Sequence, residues 1–304
     1  MTRKSIPVRG SRRSRREEGG LLREQKPVHV SVMVSEVVEA LQPQRSDVLL
    51  DATYGRGGHA KALRPVKKLI AIDADPSAGV TVANFKDIPA VLKAEGVEEV
   101  DKVLFDLGWN RDQLALGRGF SFLEDEPLLM SYGPEPASGF FARDILNNWS
   151  ETAIADVLFG YGGERYSRRI AKAVVERRQV MPFETTFEFV ELIRDSVPAG
   201  YRHGRLHFAT RSFQGLRIAV NDELRVLEAG LAAAWEHLAC QGRIAVITFH
   251  SIEDRVVKQY FAGLKKRGGT LLSKKPLVPS RKEIITNPAA RSAKLRAIEK
   301  TCNE

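Results

Sequence analysis

The chain has 304 residues, 43% hydrophobic and 28% charged, with a formal net charge of +9. No apolar run approaches the ~18 residues a membrane-spanning helix needs, and the length allows one large or two smaller cores. Cys240 and Cys302 have no metal-like spacing; no metal and no disulfide framework are expected, and a reducing cytoplasmic setting is the simplest one.

The charge is uneven. Residues 1–26 hold nine Lys/Arg against three Glu, which leaves 38 basic and 35 acidic side chains elsewhere. The tail "MTRKSIPVRGSRRSRREEGG" is too poor in apolar residues to fold and is expected to be a disordered basic arm, solvated or in non-specific contact with RNA. Glu17, Glu18 and the lack of a helical period argue against a transit peptide.

From residue 27 the pattern is α/β. "DVLLDA" (47–52) reads as a buried strand, followed by a tight turn at Gly55, Gly57 and Gly58, then His59 and a short helix. "KLIAIDAD" (68–75) reads as a second strand, and a helix is expected to start after Pro76 in "PSAGVTVANF". "VDKVLFDLG" (100–108) is a further strand. Strands alternating with helices imply a parallel sheet with right-handed crossovers. Ligands of such sheets sit beyond the carboxyl ends of the strands, where Asp51, Asp73 and Asp106 all fall.

Between 113 and 211 the chain turns helical. "ARDILNNW", "SETAIADVLFGYG", "GERYSRRIAKAVVERRQ" and "TTFEFVELIRDSV" read as helices, and Thr185 with Glu188 has capping-box spacing. This stretch is expected to be an inserted helical domain, with 27–112 and 212–304 forming one discontinuous sheet domain. Residues 211–239 carry a stripe, Phe213, Leu216, Val220, Leu224, Leu227, Leu231, Trp235 and Leu238, that predicts one long helix ended by Gly242. "RIAVITF" (243–249) is a buried strand leading to His250 and Ser251, with Ser251 and Asp254 placed to cap the next helix. Residues 265–290 read as a mobile basic loop. "SAKLRAIEK" (292–300) alternates like a last strand and is expected to pair antiparallel.

The glycine turn lacks the Gly-Lys-Ser/Thr ending of a P-loop. Gly55-x-Gly57-x-x-Ala60, with Asp73 eighteen residues on, formally fits a dinucleotide fingerprint, so a nicotinamide cofactor and S-adenosylmethionine both remain open on the motif alone. Asp51 favours a cationic ligand, since a carboxylate there would repel a pyrophosphate. Asp106-Leu-Gly-Trp109 suits a site that holds an exocyclic amine. No hydride-transfer acid stands out, and His250 is the one histidine near a strand end.

The stretches "HVSVMVSEVVEAL", "DATYGRGGHAKAL", "LIAIDADP", "FDLGWNRDQL", "RGFSF", "YGGERYSRRIAKAVVERR", "RSFQGLRIAVNDEL", "ITFHSIEDRVVKQYF" and "NPAARSAKLRAIEK" run from about residue 29 to the C-terminus. In that order they resemble the bacterial small-subunit ribosomal RNA cytosine-N4 methyltransferase family of the RsmH or MraW type. The resemblance implies a Rossmann-like class I methyltransferase sheet with an inserted helical substrate-recognition domain. It also implies S-adenosylmethionine as methyl donor, and as acceptor a cytosine of the decoding centre in small-subunit RNA or the assembled small subunit. The family's cofactor contacts fall on Gly57, Gly58, His59, Asp73, Phe85, Asp106 and Gln113.

Asp106 is the candidate acceptor for the target amine. Trp109, with Phe120 or Phe122, is a candidate to stack on an extruded base, and His250 a candidate at the pocket rim. Arg165, Arg168, Arg169 and Lys172, with Arg177 and Arg178 behind them, give a basic helix suited to phosphates. The chain departs from the family at Asn110, Arg111 and in "EPLLMSYG", where Leu129 takes an acidic position. Two alternatives therefore stand beside the main reading: a cofactor-binding RNA-binding protein without turnover, and an amino-methyltransferase for another base. Monomer and homodimer are both open.

Overall fold

The computed structural model describes residues 30–108 and 117–302. The basic tail, Trp109, Asn110, Arg111 and Gln113 lie outside the described residues.

Seven strands form one sheet: β1 Val48–Asp51, β2 Lys68–Asp73, β3 Thr81–Val82, β4 Val100–Asp106, β5 Leu238–Thr248, β6 Gly269–Leu271 and β7 Lys294–Lys300. Their order is β3-β2-β1-β4-β5-β7-β6. β1 to β5 are parallel, and β7 runs antiparallel between β5 and β6. The chain leaves β1 toward β2 and later returns to β4 on β1's other side. That reversal opens a crevice at the carboxyl ends of β1 and β4.

The helices before the helical stretch are α1 Val34–Leu41, α2 Gly58–Ala62 and α3 Ile88–Ala94. Then come α4 Ala142–Asn148, α5 Glu151–Gly160, α6 Ser167–Arg178, α7 Thr186–Ser196, α8 Ala199–Arg202 and α9 Thr210–Val220. After these stand α10 Glu223–Glu236, α11 Ser251–Leu264 and α12 Arg281–Thr286. Thr185 and Glu188 make the expected capping box on α7.

Apolar burial is organised as three cores. Leu50, Ile72 and Phe105 pack under α3, α10 and α11 on one face of the sheet. Leu49, Leu104 and Ile247 pack under α1, Leu63 and Ala290 on the other. The third core is helical and built around Phe183, Phe189, Phe213 and Leu216, joined by Phe120, Leu128 and Met130. Each large side chain buried this way contributes about 1.5–3 kcal/mol. Leu128 and Met130 belong to the "EPLLMSYG" stretch, so that stretch serves packing in this chain.

Several expectations need correction. No helix follows Pro76: a single 3₁₀ turn, Pro76–Ala78, stops at Gly79 with φ 72°, and the chain then enters β3. The stripe over 211–239 is two helices. Asp222 breaks it with a left-handed φ of 48°. Asn221 holds the break, donating from Nδ2 to the Met130 and Arg217 carbonyls and accepting from the Tyr132 N–H. The stripe's first half feeds the helical core and its second half the sheet. Gly242 ends no helix; it lies inside β5, where the register with β4 jumps from Val100↔Leu238 to Lys102↔Arg243. His250, not Ser251, caps α11, paired with Glu253. The basic stretch 265–290 contains β6 and α12. Cys240 and Cys302 are disulfide-bonded, with Cα atoms 5.4 Å apart. The Arg243↔Glu299 pairing explains this: three residues further out on each strand, the antiparallel register sets Cys240 opposite Cys302.

Candidate active site

Three carboxylates meet at the crevice. Asp51 pairs in register with Ala71 of β2 and Leu104 of β4. Asp73 and Asp106 each stand two residues further along, so the alternation of a strand turns all three side chains to one face. Asp51 is 1% exposed. Its Oδ1 accepts the Thr53 N–H at 3.1 Å, and its Oδ2 is buried with no hydrogen-bond partner among the described residues. Burial pushes its carboxyl up from 3.8 to about 7; the Thr53 N–H and His59 oppose the rise, and Asp106 and Asp73 add to it. Asp73 is also held above its usual range by burial, although it accepts the Gly55 and Asp75 N–H groups at 2.7 and 2.8 Å.

Asp106 is fixed on three sides. Its backbone N–H donates to Thr53 Oγ1 at 2.6 Å, its Oδ1 accepts the Gly108 N–H at 3.1 Å, and its Oδ2 lies 3.5 Å from His59 Nδ1. His59 is buried, with Nε2 2.8 Å from the Val32 carbonyl. A carbonyl can only accept, so Nε2 carries a hydrogen. In this structure His59 therefore meets the site at Asp106 Oδ2.

The turn glycines have reasons of their own. Gly57 caps α2 with a φ of 72°, in the left-handed region where a side chain is strained. A Cβ there would meet the Tyr54 ring, and one on Gly58 would run into Ser31. The structure thus gives both glycines a packing reason besides any ligand. The fit to a cationic cofactor rests on Asp51: a buried, unpaired carboxylate oxygen at the crevice suits a ligand carrying an ammonium and a sulfonium.

The other candidates lie as follows. Phe85 follows β3 and packs edge-on against Phe105, ring centroids 5.5 Å apart, and against Gly230 of α10. Phe120 and Phe122 lie in or against the helical core. Trp109 and Gln113 are outside the described residues. Arg165, Arg168, Arg169 and Lys172 are all exposed on or just before α6. The Arg165 guanidinium lies over both the Tyr166 and Tyr201 rings, at 4.9 and 4.8 Å from their centroids. Arg177 and Arg178 serve the fold instead: Arg177 lies over Phe183 and by Glu188, while Arg178 donates to the Leu146 and Trp149 carbonyls.

His250 sits in a second polar network. Its Nδ1 accepts the Glu253 N–H and its Nε2 lies 2.9 Å from Glu253 Oε1. Arg217 makes a two-pronged pair with Glu223 at 2.7 and 2.9 Å, and Tyr132 Oη donates to Glu223 at 2.9 Å. Burial works to lower the Arg217 pKa, but Glu223, Tyr132 and Glu253 together hold it above its usual range. Glu223, His250 and Glu253 bring their ligand atoms within 4.8 Å of one another. Their acceptors are already engaged by Arg217, Tyr132 and backbone N–H groups, which leaves this cluster poorly suited to a metal. Sequence reasoning missed the network, because residues six apart, such as Arg217 and Glu223, do not meet on an unbroken helix.

Comparison with known proteins agrees with this geometry. Ribosomal RNA small subunit methyltransferase H of Synechococcus elongatus is 42% identical over 290 residues, covering 91% of this chain and 96% of its own. The protein of the same description from Caulobacter vibrioides is 42% identical over 301 residues, covering 90% and 96%. That from Deinococcus radiodurans is 42% identical over 286 residues, covering 90% and 89%. The parallel sheet closed by antiparallel β7 agrees with the class I methyltransferase sheet that the motifs implied. The MraW methylase family matches residues 26–301, and with these relatives it establishes that the chain belongs to that family.

Proposed function

We propose that this chain is an S-adenosylmethionine-dependent RNA methyltransferase that acts on the N4 amine of a cytosine in small-subunit ribosomal RNA. The observation that carries the site reading is the convergence of Asp51, Asp73 and Asp106 at the β1/β4 crevice. The names of the relatives support the substrate class. When bound, S-adenosylmethionine supplies a methyl group on a sulfonium. Asp73 is the acceptor for ribose hydroxyls, since each of its oxygens keeps a second lone pair. Asp51 Oδ2 is the counter-charge for the cationic end. The turn at Gly57 and Gly58 brings backbone close to it.

The cytosine amine is a weak nucleophile because its lone pair is delocalised into the ring. Asp106 accepts an N–H of that amine, orients the lone pair and stabilises the positive charge that develops on nitrogen. It then takes the proton released. Orientation of this kind can supply several kcal/mol of the barrier. Gly108 and His59 hold the carboxylate in place for it. The exposed cations Arg165, Arg168, Arg169 and Lys172 are the phosphate-contacting face of the helical layer, and that layer, which runs through α9 to Val220, forms the substrate domain.

The test is incubation with unmodified small subunits, with naked small-subunit RNA and with labelled methyl donor, followed by nucleoside analysis. N4-methylcytidine is the expected product. Label in another nucleoside would replace the acceptor. Cofactor binding without any transfer would instead support an RNA-binding protein that keeps the fold as a scaffold.

A further inference from the structure

A cavity of about 370 Å³ lies on the far side of β5 from Asp106, lined by Phe249, Ser251, Val278, Ile284 and Arg291 among others. Its size is within the ~300–1,000 Å³ of small-ligand sites. Phe249 joins it to the candidate active site: the residue lines the cavity, and its ring lies against Gly108, where an added Cβ would stand 2.8 Å away. Asp106 and Ile247 are level in the sheet, so Phe249 begins two residues beyond them. Phe249 is thus the residue shared by the cavity and the Gly108 turn beside Asp106.

Its chemistry is mixed in a specific way. Val278, Pro279 and Ile284 form an apolar wall, with Val278 62% exposed. Ser251 and Ser292 add hydroxyls. Two cations reach it. Lys294 is neutralised by Asp254, which it shares with Arg296. Arg291 is exposed and makes no hydrogen bond or ion pair among the described residues. The neighbouring α12 adds Arg281 and Lys282 against one carboxylate, Glu283, which accepts the Met33 N–H. An apolar wall for a base face beside an uncompensated guanidinium for a phosphate is the composition of a single-stranded nucleotide site.

We propose that this cavity holds a nucleotide flanking the target cytosine, with its base against Val278 and Ile284 and its phosphate on Arg291. The inference rests on the reading of the chain as an RNA methyltransferase. It makes the Phe249 ring a divider that separates the target base from its neighbour, and so a source of sequence register.

Two measurements test it on the full-length protein. The first is fluorescence anisotropy of a labelled single-stranded RNA spanning the target. The second is the KM and kcat for methyl transfer to naked RNA. Arg291→Ala and Val278→Glu alter exposed side chains, so folding is not at risk. Each is expected to weaken RNA binding and raise KM about tenfold, the equivalent of about 1.4 kcal/mol, with the loss falling on KM rather than kcat. Lys258→Ala, an exposed cation on the outer side of α11, serves as the control and should change neither. Wild-type RNA affinity and KM in both cavity variants would overturn the proposal. So would variants that bind naked RNA normally but fail only on assembled subunits, because the occupant would then be a protein segment. If the wild type transfers no methyl group to any RNA, the functional reading fails by itself, and anisotropy still decides whether the cavity binds a nucleotide.

Discussion

Asp51 and Asp106 stand on adjacent strands, and the proposed function gives them different work. Asp106 keeps one oxygen on the Gly108 N–H and the other by His59, an arrangement that fixes the direction of the carboxylate. Asp106→Asn preserves the shape but loses the charge and the proton acceptor. Methyl transfer should fall about 100-fold or more, while cofactor affinity measured by calorimetry changes far less. Asp51 is a titration problem. Its carboxyl rises from 3.8 to about 7 through burial. Between those values the folded state holds a proton that the unfolded chain has released. Stability from this group is therefore complete below the lower value, falls by about 1.4 kcal/mol per pH unit through the window, and levels off above the upper value. Asp51→Asn stays neutral throughout. It should match the wild type near pH 4 and melt higher than the wild type near pH 8 in a thermal scan. A cationic ligand at Oδ2 would favour the ionised form, so wild-type binding near neutral pH should release a proton, seen as a buffer-dependent enthalpy. The Asn variant should lose that dependence.

At the scale of elements, the break between α9 and α10 decides which core each half of the stripe joins. Asn221 is buried and has both ends of its amide engaged. Asn221→Ala leaves the Met130 carbonyl and the Tyr132 N–H without their partner at about 1–3 kcal/mol each. The expected outcome is a clear drop in denaturation midpoint. Loss concentrated in the helical layer, read as faster amide exchange in α9 than in β4, would locate the effect. Much of this level was legible in the sequence. β1, β2, β4, the capping box on α7 and the antiparallel last strand follow from alternation and cap chemistry. The break at Asp222 was not legible, because an amphipathic stripe reports that a face is buried and says nothing about what buries it.

For the whole molecule, the exposed basic side chains on and just before α6 and the acidic crevice are parts of one binding event in the proposed function. If Arg165, Arg168, Arg169 and Lys172 each meet a phosphate, replacing all four by alanine should lower the slope of log K against log salt by about 3, at ~0.7–0.9 per contact. Anisotropy with small-subunit RNA across a salt series checks this. An unchanged slope would assign these residues to solvent. Arg177 and Arg178 belong to the same run in the sequence, yet they are spent inside the helical layer on Glu188 and backbone carbonyls. Charge in a sequence is visible, but its availability is a property of the packed molecule.

By itself the sequence determined the α/β alternation, the acids at three strand ends, the glycine turn between them and the ordered motifs that carry the family resemblance. Each depends on neighbours within a few residues, where backbone geometry leaves few choices. Tertiary structure alone decided the rest. The β5–β7 register placed Cys240 opposite Cys302. The helix break joined Arg217 to Glu223, and the end of β5 made His250 a cap with Glu253. Phe249 came to be shared by the Gly108 turn and a cavity built from residues up to 45 positions away in the chain. These pairings unite segments distant in sequence. Local periodicity records which side of an element is buried, and only the packed sheet and its helical layers determine the partner it meets there.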